Sequence, residues 1–447
     1  MTHQFPQPDE RPLSERRPRV LLLAEAANPD WQSVPLIGWS LAEAIRRVAD
    51  AHLVTQIRNR DAIAARGWVE GEDFTVIDTE DVAGPMYKLG EVLRLGNNRG
   101  WTTLMALTSV AYPTFEKRAW KAFAPKIEAG AFDVVHRITP MSPTLNSPMA
   151  KLCEGVGVPF LLGPMNGGLA WPKAFNSIRH QEREFASYFR WVYTLGPGYT
   201  ATRRYATGIL CGSTDTLEQL PAWAKDKARL MPENAIDSAR FPRRREARDD
   251  GPLGLLFVGR LVPYKGVDML IDAAGSMLAD GSATLKVAGD GPERERLETL
   301  LEGYVGKERA SASFLGRVPH TQVNELMVEA DLFVSPAVRE FGGGAVLEAM
   351  ACATPPVYVA HGGPMDIATE DTGFALALTD REGIVTELRE LLAELRANRG
   401  EVNRKGEAAF ERVRSKLTWD RKAEQLIEVY QALGEGRPMP SFFERGR

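Results

Sequence analysis

Four charged residues in the second half of the chain could act together on a phosphorylated ligand. Glu340 and Glu348 bracket the glycines 342–344, and Arg260 and Lys265 follow a short apolar run. Glycines that precede a helix leave its first backbone N–H groups accessible, and the helix dipole favours an anion there. Two cations near such a helix would neutralise further negative charge. This combination predicts a binding site for a diphosphate.

Two glycine turns and one histidine also follow apolar runs. Gly289–Pro292 is one turn, and Gly316 ends the run at 312–315. Because glycine has no side chain, Gly316 would let the backbone approach a flat ligand closely. His136 ends the apolar run DVVH. A histidine in this position can face a ligand, or it can be a core residue with an internally bonded ring.

Short apolar runs separated by helix-length segments must position these residues. The first series comprises 19–24, 52–57, 74–77, 133–136, 158–162 and 207–211, and the second comprises 253–258, 285–288, 312–315, 331–335 and 356–359. This alternation predicts βαβ units on parallel sheets, and hence an α/β protein of two Rossmann-like, doubly wound domains. Ligands bind beyond the carboxyl ends of such strands, so we expect the two domains to face each other across a cleft.

Composition changes along the chain predict where the domains begin and end. The predicted segments are a polar tail at 1–17, a first α/β domain at 18–237, an arginine-rich linker at 238–251, a second α/β domain at 252–416, a helix at 417–434 and a tail at 435–447. The apolar stripe of the last helix is explained by packing, and the first domain is one surface on which it could pack.

Overall composition excludes several classes of protein. The chain has 447 residues, of which 44% are hydrophobic and 26% charged, with a net charge of −4. These values are typical of a folded water-soluble protein and give no sign of nucleic-acid binding. Three widely spaced cysteines suggest neither a disulfide framework nor a zinc site, so we expect a cytoplasmic protein. No Asp-x-Asp pair follows a predicted strand, so no metal cofactor is expected.

The segment 87–126 mixes basic with aromatic and aliphatic residues. One interpretation is a membrane-surface patch, which would place the protein peripherally at the inner face of the membrane. The other is an amphipathic helix that packs on the sheet. The turn at 163–168 is likewise either structural or part of the lining of the expected cleft.

The order of motifs in the second half resembles a known family. The motifs are GRLVPYKG at 259–266, GDGP at 289–292, FLGRV at 314–318, EFGGGAVLE at 340–348 and HGGP at 361–364. This order is similar to that of the retaining nucleotide-sugar glycosyltransferases of the GT4 family, also called glycosyl transferases group 1, which have the GT-B fold. The resemblance covers about 253–378, and DVVH and PENAID (232–237) extend it into the first half.

The resemblance implies a role for each matching residue. Arg260 and Lys265 would neutralise the donor diphosphate, Glu348 would bind the ribose, and Glu340 and His136 would lie beside the transferred sugar. The donor-binding set would be Arg260, Lys265, Gly316, Arg317, Val318, Gly342, Gly343, Gly344 and Glu348, and the catalytic set Glu340, His136, Arg260 and Lys265.

Two features depart from the family pattern. The family commonly has the order E-G-F-G after the first glutamate, whereas this chain has EFGGG at 340–344. The loop after the first strand lacks the usual glycine pair and leaves Gly38 as the only glycine before its helix. The resemblance implies that 18–237 is the acceptor-side domain and 252–416 the donor-binding domain. The path of the sugar-binding loop and the structure of the acceptor side are therefore expected to differ from those of the family.

The resemblance implies transfer of a sugar, with retention, from a nucleotide sugar to a glycan, lipid-linked or small-molecule acceptor. No metal is implied, and the leaving phosphate would take the acceptor proton. Two alternatives stay open. One is another GT-B chemistry, that of a nucleotide-sugar epimerase or a phosphorylase, and the other is a catalytically silent glycan-binding protein.

Overall fold

The computed structural model describes residues 11–82, 84–85, 101–181, 194, 196–306 and 311–443. Of residues 101–111, 180–181 and 197 it describes only the backbone. These residues divide into two compact units. The first consists of the described parts of Met1–Gly168, Glu182–Glu233 and Trp419–Glu444, and the second of those of Leu169–Gln181, Asn234–Thr418 and Arg445–Arg447.

The first unit contains a parallel sheet of seven strands among the residues described, in the order β3-β2-β1-β4-β5-β6-β7. Its strands are Arg19–Ala24 (β1), Asp50–Gln56 (β2), Phe74–Ile77 (β3), Val134–Thr139 (β4), Phe160–Met165 (β5), Gly208–Cys211 (β6) and Ala228–Leu230 (β7). Its helices are Val34–Val48 (α1), Arg60–Ala64 (α2), Trp101–Glu128 (α3), Met149–Gly155 (α4), Pro197–Tyr205 (α6), Thr214–Glu218 (α7), Ala222–Lys225 (α8) and Trp419–Gly434 (α16). Every residue of β1, β4 and β5 is buried, as expected for central strands covered on both faces.

The described part of the second unit contains a parallel sheet of six strands in the order β10-β9-β8-β11-β12-β13. These are Leu253–Val258 (β8), Ala283–Ala288 (β9), Ala312–Gly316 (β10), Leu332–Ser335 (β11), Pro356–Val359 (β12) and Phe374–Leu376 (β13). The helices are Asn176–Gln181 (α5), Val267–Ala279 (α9), Arg294–Val305 (α10), His320–Glu329 (α11), Gly344–Ala351 (α12), Gly363–Ile367 (α13), Arg381–Ala397 (α14) and Arg399–Lys416 (α15). Two doubly wound, Rossmann-like α/β units are thus present, which confirms the predicted fold class.

Two segments lie in the second unit although the sequence did not place them there. Leu169–Gln181, assigned above to the first domain, lies in the second unit, where Phe175 joins the hydrophobic core. The predicted linker 238–251 is also packed in the second unit. Its Arg245 is 7% exposed and pairs with the buried Asp331 at 3.5 Å. An arginine-rich run therefore resembled a solvated linker although one of its members is a buried ion-pair partner.

The C-terminal helix α16 and part of α3 pack in the first unit. α16 lies against α1, and Asp420 of α16 pairs with Arg47 of α1 at 2.6 Å. In the described part of α3, the aromatic side chains of Tyr112, Phe115 and Phe123 are buried. These rings serve packing rather than a membrane surface, whereas residues 87–100 of the proposed patch and the side chains of 101–111 lie outside what the structure describes. None of the helices described is long and apolar enough to cross a bilayer.

Candidate functional site

The loops that follow β8 and β11 bring Lys265 and Glu340 together. The turn Pro263–Lys265 ends at Gly266, which has a φ of +69°. A side chain on Gly266 would collide with the carbonyl oxygen of Pro336, so glycine allows the two loops to approach closely. The ammonium group of Lys265 contacts Oε2 of Glu340, and these side chains are 19% and 21% exposed.

The surroundings of Lys265 favour its charged form. Burial alone would lower the pKa of Lys265, but the Glu340 carboxylate outweighs this effect and raises the pKa above its usual value. Arg260 acts in the opposite direction, because a second cation nearby disfavours the charged lysine. Arg260 itself is exposed just after β8. The structure thus places two cations and one carboxylate at the carboxyl end of β8 and β11.

The three glycines after Glu340 lead directly into α12. Gly343 has a φ of +57°, a left-handed conformation that glycine adopts without strain, and caps the helix that begins at Gly344. A Cβ atom on Gly344 would meet nothing within 4 Å. The first N–H groups of an α-helix lack partners within the helix, so this end of α12 suits an anion.

Glu348 lies on α12, where it is held by a side-chain network that the sequence did not reveal. Oε1 of Glu348 is 2.9 Å from Nε2 of His320, and Nδ1 of the same ring is 2.9 Å from Nη2 of Arg240. Because arginine can only donate, Nδ1 is assigned as the acceptor and Nε2 as the N–H that donates to Glu348. His320 begins α11, four residues after Gly316. The sequence signal that could have identified His320 was its position close to the glycine turn at Gly316.

The segment 316–318 lies at the carboxyl end of β10. Gly316 has a φ of +69°, and its carbonyl oxygen accepts a hydrogen bond from the N–H of Gly289 at 2.8 Å. The Arg317 side chain is 88% exposed and 3.9 Å from Asp290, whereas Val318 is half-buried. The two glycine turns are therefore neighbours, as expected for turns after the paired strands β9 and β10.

His136 is placed differently from the prediction. It is the third residue of β4, which continues for three more residues, so it does not end its strand. The ring is fully buried; Nδ1 lies 2.7 Å from the hydroxyl of Tyr430, and Nε2 lies 2.6 Å from the carbonyl oxygen of Gly163. Burial lowers the pKa of His136 to about 4. This is the setting of a core residue, and the role beside the sugar gains no support from it.

The carboxyl end of the first unit's sheet carries a charged cluster that the sequence analysis did not single out. Glu25 follows β1, and burial raises the pKa of its carboxyl group even though Arg58 lowers it. Arg58 pairs with Glu80 at 2.9 Å. Such groups could bind hydroxyls. Among the residues described, no three His, Cys, Asp or Glu side chains form a group suited to a metal ion.

Part of the chain is similar in sequence to known proteins. Residues 239–407 match the family model Glycosyl transferases group 1. The glycogen synthase of Mycobacterium tuberculosis is 32% identical over 211 residues, which cover 46% of this chain and 50% of that protein. A GDP-mannose-dependent monoacylated alpha-(1-6)-phosphatidylinositol monomannoside mannosyltransferase of Corynebacterium glutamicum is 30% identical over 250 residues, 54% of this chain and 62% of that protein. The chain thus spans less than two thirds of the length of these relatives.

Solved structures extend the similarity to the fold of nearly the whole chain. Sucrose-phosphate synthase from Thermosynechococcus elongatus superimposes with a TM-score of 0.61 at 19% identity, over 94% of this chain and 100% of that one. The HepE protein of Anabaena in complex with UDP superimposes with a TM-score of 0.60 at 15% identity, over 92% of this chain and 98% of that one. The two units and these superpositions together show that the chain has the GT-B fold, and within it residues 239–407 match the glycosyl transferases group 1 model.

Proposed function

We propose that this protein is a retaining glycosyltransferase that uses a nucleoside diphosphate sugar as donor. The observation that carries the proposal is the grouping of Lys265, Glu340 and the start of α12 in the second unit. A lysine, a nearby arginine and a helix N-terminus can stabilise a departing diphosphate, and Glu348 on the same helix can accept hydrogen bonds from ribose hydroxyls.

The proposed reaction replaces the diphosphate with the acceptor on the same face of the sugar. The bond from the anomeric carbon to the phosphate oxygen breaks as the bond to the acceptor oxygen forms, and the leaving phosphate takes the acceptor proton. Lys265 and Arg260 would hold the charge that builds up on the phosphate. Glu340, paired with Lys265, would lie next to the sugar and bind its hydroxyls.

The acceptor is proposed to be a glycan, a lipid-linked molecule or a small molecule. The named relatives support all three classes, since they include a glycogen synthase, a phosphatidylinositol mannoside mannosyltransferase and a sucrose-phosphate synthase. We further propose a cytoplasmic protein, which three free, buried cysteines suit.

A thermal-shift panel tests the donor proposal. UDP, GDP, UDP-glucose and GDP-mannose cover the two bases in the names of the relatives, and a ligand that binds the native state raises the melting temperature. We expect one base to stabilise the wild type. We expect Glu348→Gln to lose that shift and Glu407→Gln to keep it, since Glu407 is exposed and pairs only with Arg244 among the contacts described. Absence of any shift with all four would contradict the proposal.

Product analysis then separates transfer from the other chemistries of this fold. Release of nucleoside diphosphate that depends on an added acceptor indicates transfer. Interconversion of donor sugars without acceptor would indicate an epimerase, and sugar release that requires free phosphate would indicate a phosphorylase. Binding without any turnover over a broad acceptor panel would favour a silent glycan-binding protein.

A further inference from the structure

An aromatic residue from a distant part of the chain contacts the loop that carries Glu340. The guanidinium group of Arg339, which is 6% exposed, lies 4.7 Å from the ring centre of Trp171 and 4.7 Å from that of Phe341. A cation between two aromatic faces is held by the electrostatic attraction of both rings. The residue before Glu340 and the residue after it are therefore fixed in one arrangement.

The same tryptophan also contacts the loop that carries Lys265. The ring of Trp171 meets that of Tyr264 edge to face, with 6.2 Å between ring centres and an angle of 89°. This is a preferred geometry for an aromatic pair. Trp171 is 8% exposed and lies in the second unit, as do Arg339 and Tyr264. One ring thus contacts the immediate neighbours of both Lys265 and Glu340.

The residues that precede Trp171 continue this contact along the backbone. Nε2 of His361 donates to the carbonyl oxygen of Ala170 at 3.1 Å. A Cβ atom on Gly362 would come within 2.8 Å of Leu169, which shows how closely that side chain packs. The N–H of Gly363 in turn donates to the carbonyl oxygen of Glu340 at 2.9 Å. Leu169 and Ala170 therefore support Glu340 through the turn at 361–363.

A second distant residue bonds the other end of the loop. Nδ2 of Asn234 donates to the carbonyl oxygen of Gly342 at 2.8 Å. Leu169 and Asn234 are the first residues of two of the stretches of chain that make up the second unit. Asn234 thus bonds the segment 339–343 directly, whereas Leu169 packs against the turn at 361–363 that supports it.

We propose that Trp171 and Asn234 are positioning residues that hold the segment 339–343 in the geometry needed for sugar transfer. This inference rests on the proposed function. Neither residue binds the donor in this proposal; each acts through the loop that carries Glu340 and leads into α12. Displacement of a reacting group by about 1 Å can lower a rate about 100-fold, so loosening this loop should affect turnover more than nucleotide binding.

The test compares Asn234→Ala and Trp171→Phe with the wild type. We expect kcat at saturating donor to fall at least about 10-fold, while the Kd of the matching nucleoside diphosphate changes less than about threefold. Amide hydrogen exchange of the peptide covering 339–346, measured without ligand, should become faster in both variants. Trp223→Leu is the control, because Trp223 lies in α8 of the first unit and is 47% exposed. It should match the wild type in all three measurements.

Each other outcome overturns the inference in a different way. Unchanged kcat and unchanged exchange would show that the contacts only add stability. A loss of nucleotide affinity as large as the loss of kcat would make these residues ligand contacts. A wild type that binds nucleotide but shows no transfer would overturn the proposed function, and the inference would fall with it. Asn234 is half-buried, so its variant is expected to fold even if Trp171→Phe does not.

Discussion

Lys265 and Glu340, 75 residues apart in the chain, form an ion pair at the carboxyl end of the second unit's sheet. The pair exists because Gly266 allows the loop after β8 to touch the loop after β11. It keeps a positive charge and a negative charge side by side in a largely buried place. Replacing either partner leaves the other charge without compensation.

Lys265→Ala should therefore reduce sugar transfer severely. Removing a fixed cation from a site where charge develops typically lowers the rate by about 100-fold or more, and here it also frees Glu340 to repel the diphosphate. Steady-state kinetics of nucleotide release would measure the loss. Lys286→Ala is the matched control, because Lys286 pairs with Glu329 at 2.6 Å on the exposed surface of the same unit. Equal activity of the two variants would rule out the proposed role.

Glu348→Gln should weaken nucleotide binding by about 1 to 3 kcal/mol without unfolding the protein. The amide keeps the shape of the side chain but removes the charge of the proposed ribose acceptor, and it also weakens the bond from His320. Isothermal titration with the nucleoside diphosphate identified by thermal shift would give the difference. An affinity within about twofold of the wild type would assign Glu348 a structural role instead.

Transfer should not require a divalent metal. The diphosphate gains one further negative charge as its bond to the sugar breaks, and a full charge at about 4 Å contributes roughly 4 kcal/mol at an effective dielectric constant near 20. Arg260, Lys265 and the start of α12 can supply this stabilisation. Dialysis against EDTA should leave activity intact, whereas Arg260→Ala should lower it about 100-fold or more. Activity that EDTA abolishes and magnesium or manganese restores would contradict the prediction.

Strands were predictable where they are buried and uninterrupted. β8 and β1 lie at the predicted positions, because a strand covered on both faces is a continuous apolar run. β7 and β13 were not predicted. Each has three residues at the edge of its sheet, and so short a run carries little periodic signal.

The partners of the site residues could not be read from the sequence. Arg260, Lys265, Glu340 and Glu348 stood out because each lies near a glycine turn that follows a strand. Trp171 and His320 were not singled out. His320 also lies near a glycine turn, four residues after Gly316, but the importance of both residues comes from contacts with residues 168 and 28 positions away, respectively. Such contacts are set by tertiary packing.

The placement of His136 leads to a prediction about stability and pH. Burial lowers the pKa of His136 to about 4 and that of His52, also in the first unit, to about 4. In the unfolded chain both would titrate near about 6.5. Between pH 6.5 and 4 the unfolded state therefore binds protons that the native state does not. The free energy of unfolding should fall as the pH is lowered through this range, by up to about 3 kcal/mol for each histidine.

His136→Gln removes one of these two titrating groups. The free energy of unfolding should therefore depend less steeply on pH between 6.5 and 4 in this variant. An amide can still donate toward Gly163 and accept from Tyr430, so the variant is expected to fold with moderately reduced stability at pH 7. Urea unfolding at several pH values would measure the slope of the free energy of unfolding against pH. His52→Gln should reduce this slope similarly. If the slope is unchanged while kcat per folded molecule collapses, His136 acts at the reacting bond after all, because a core histidine affects turnover only through the amount of folded protein.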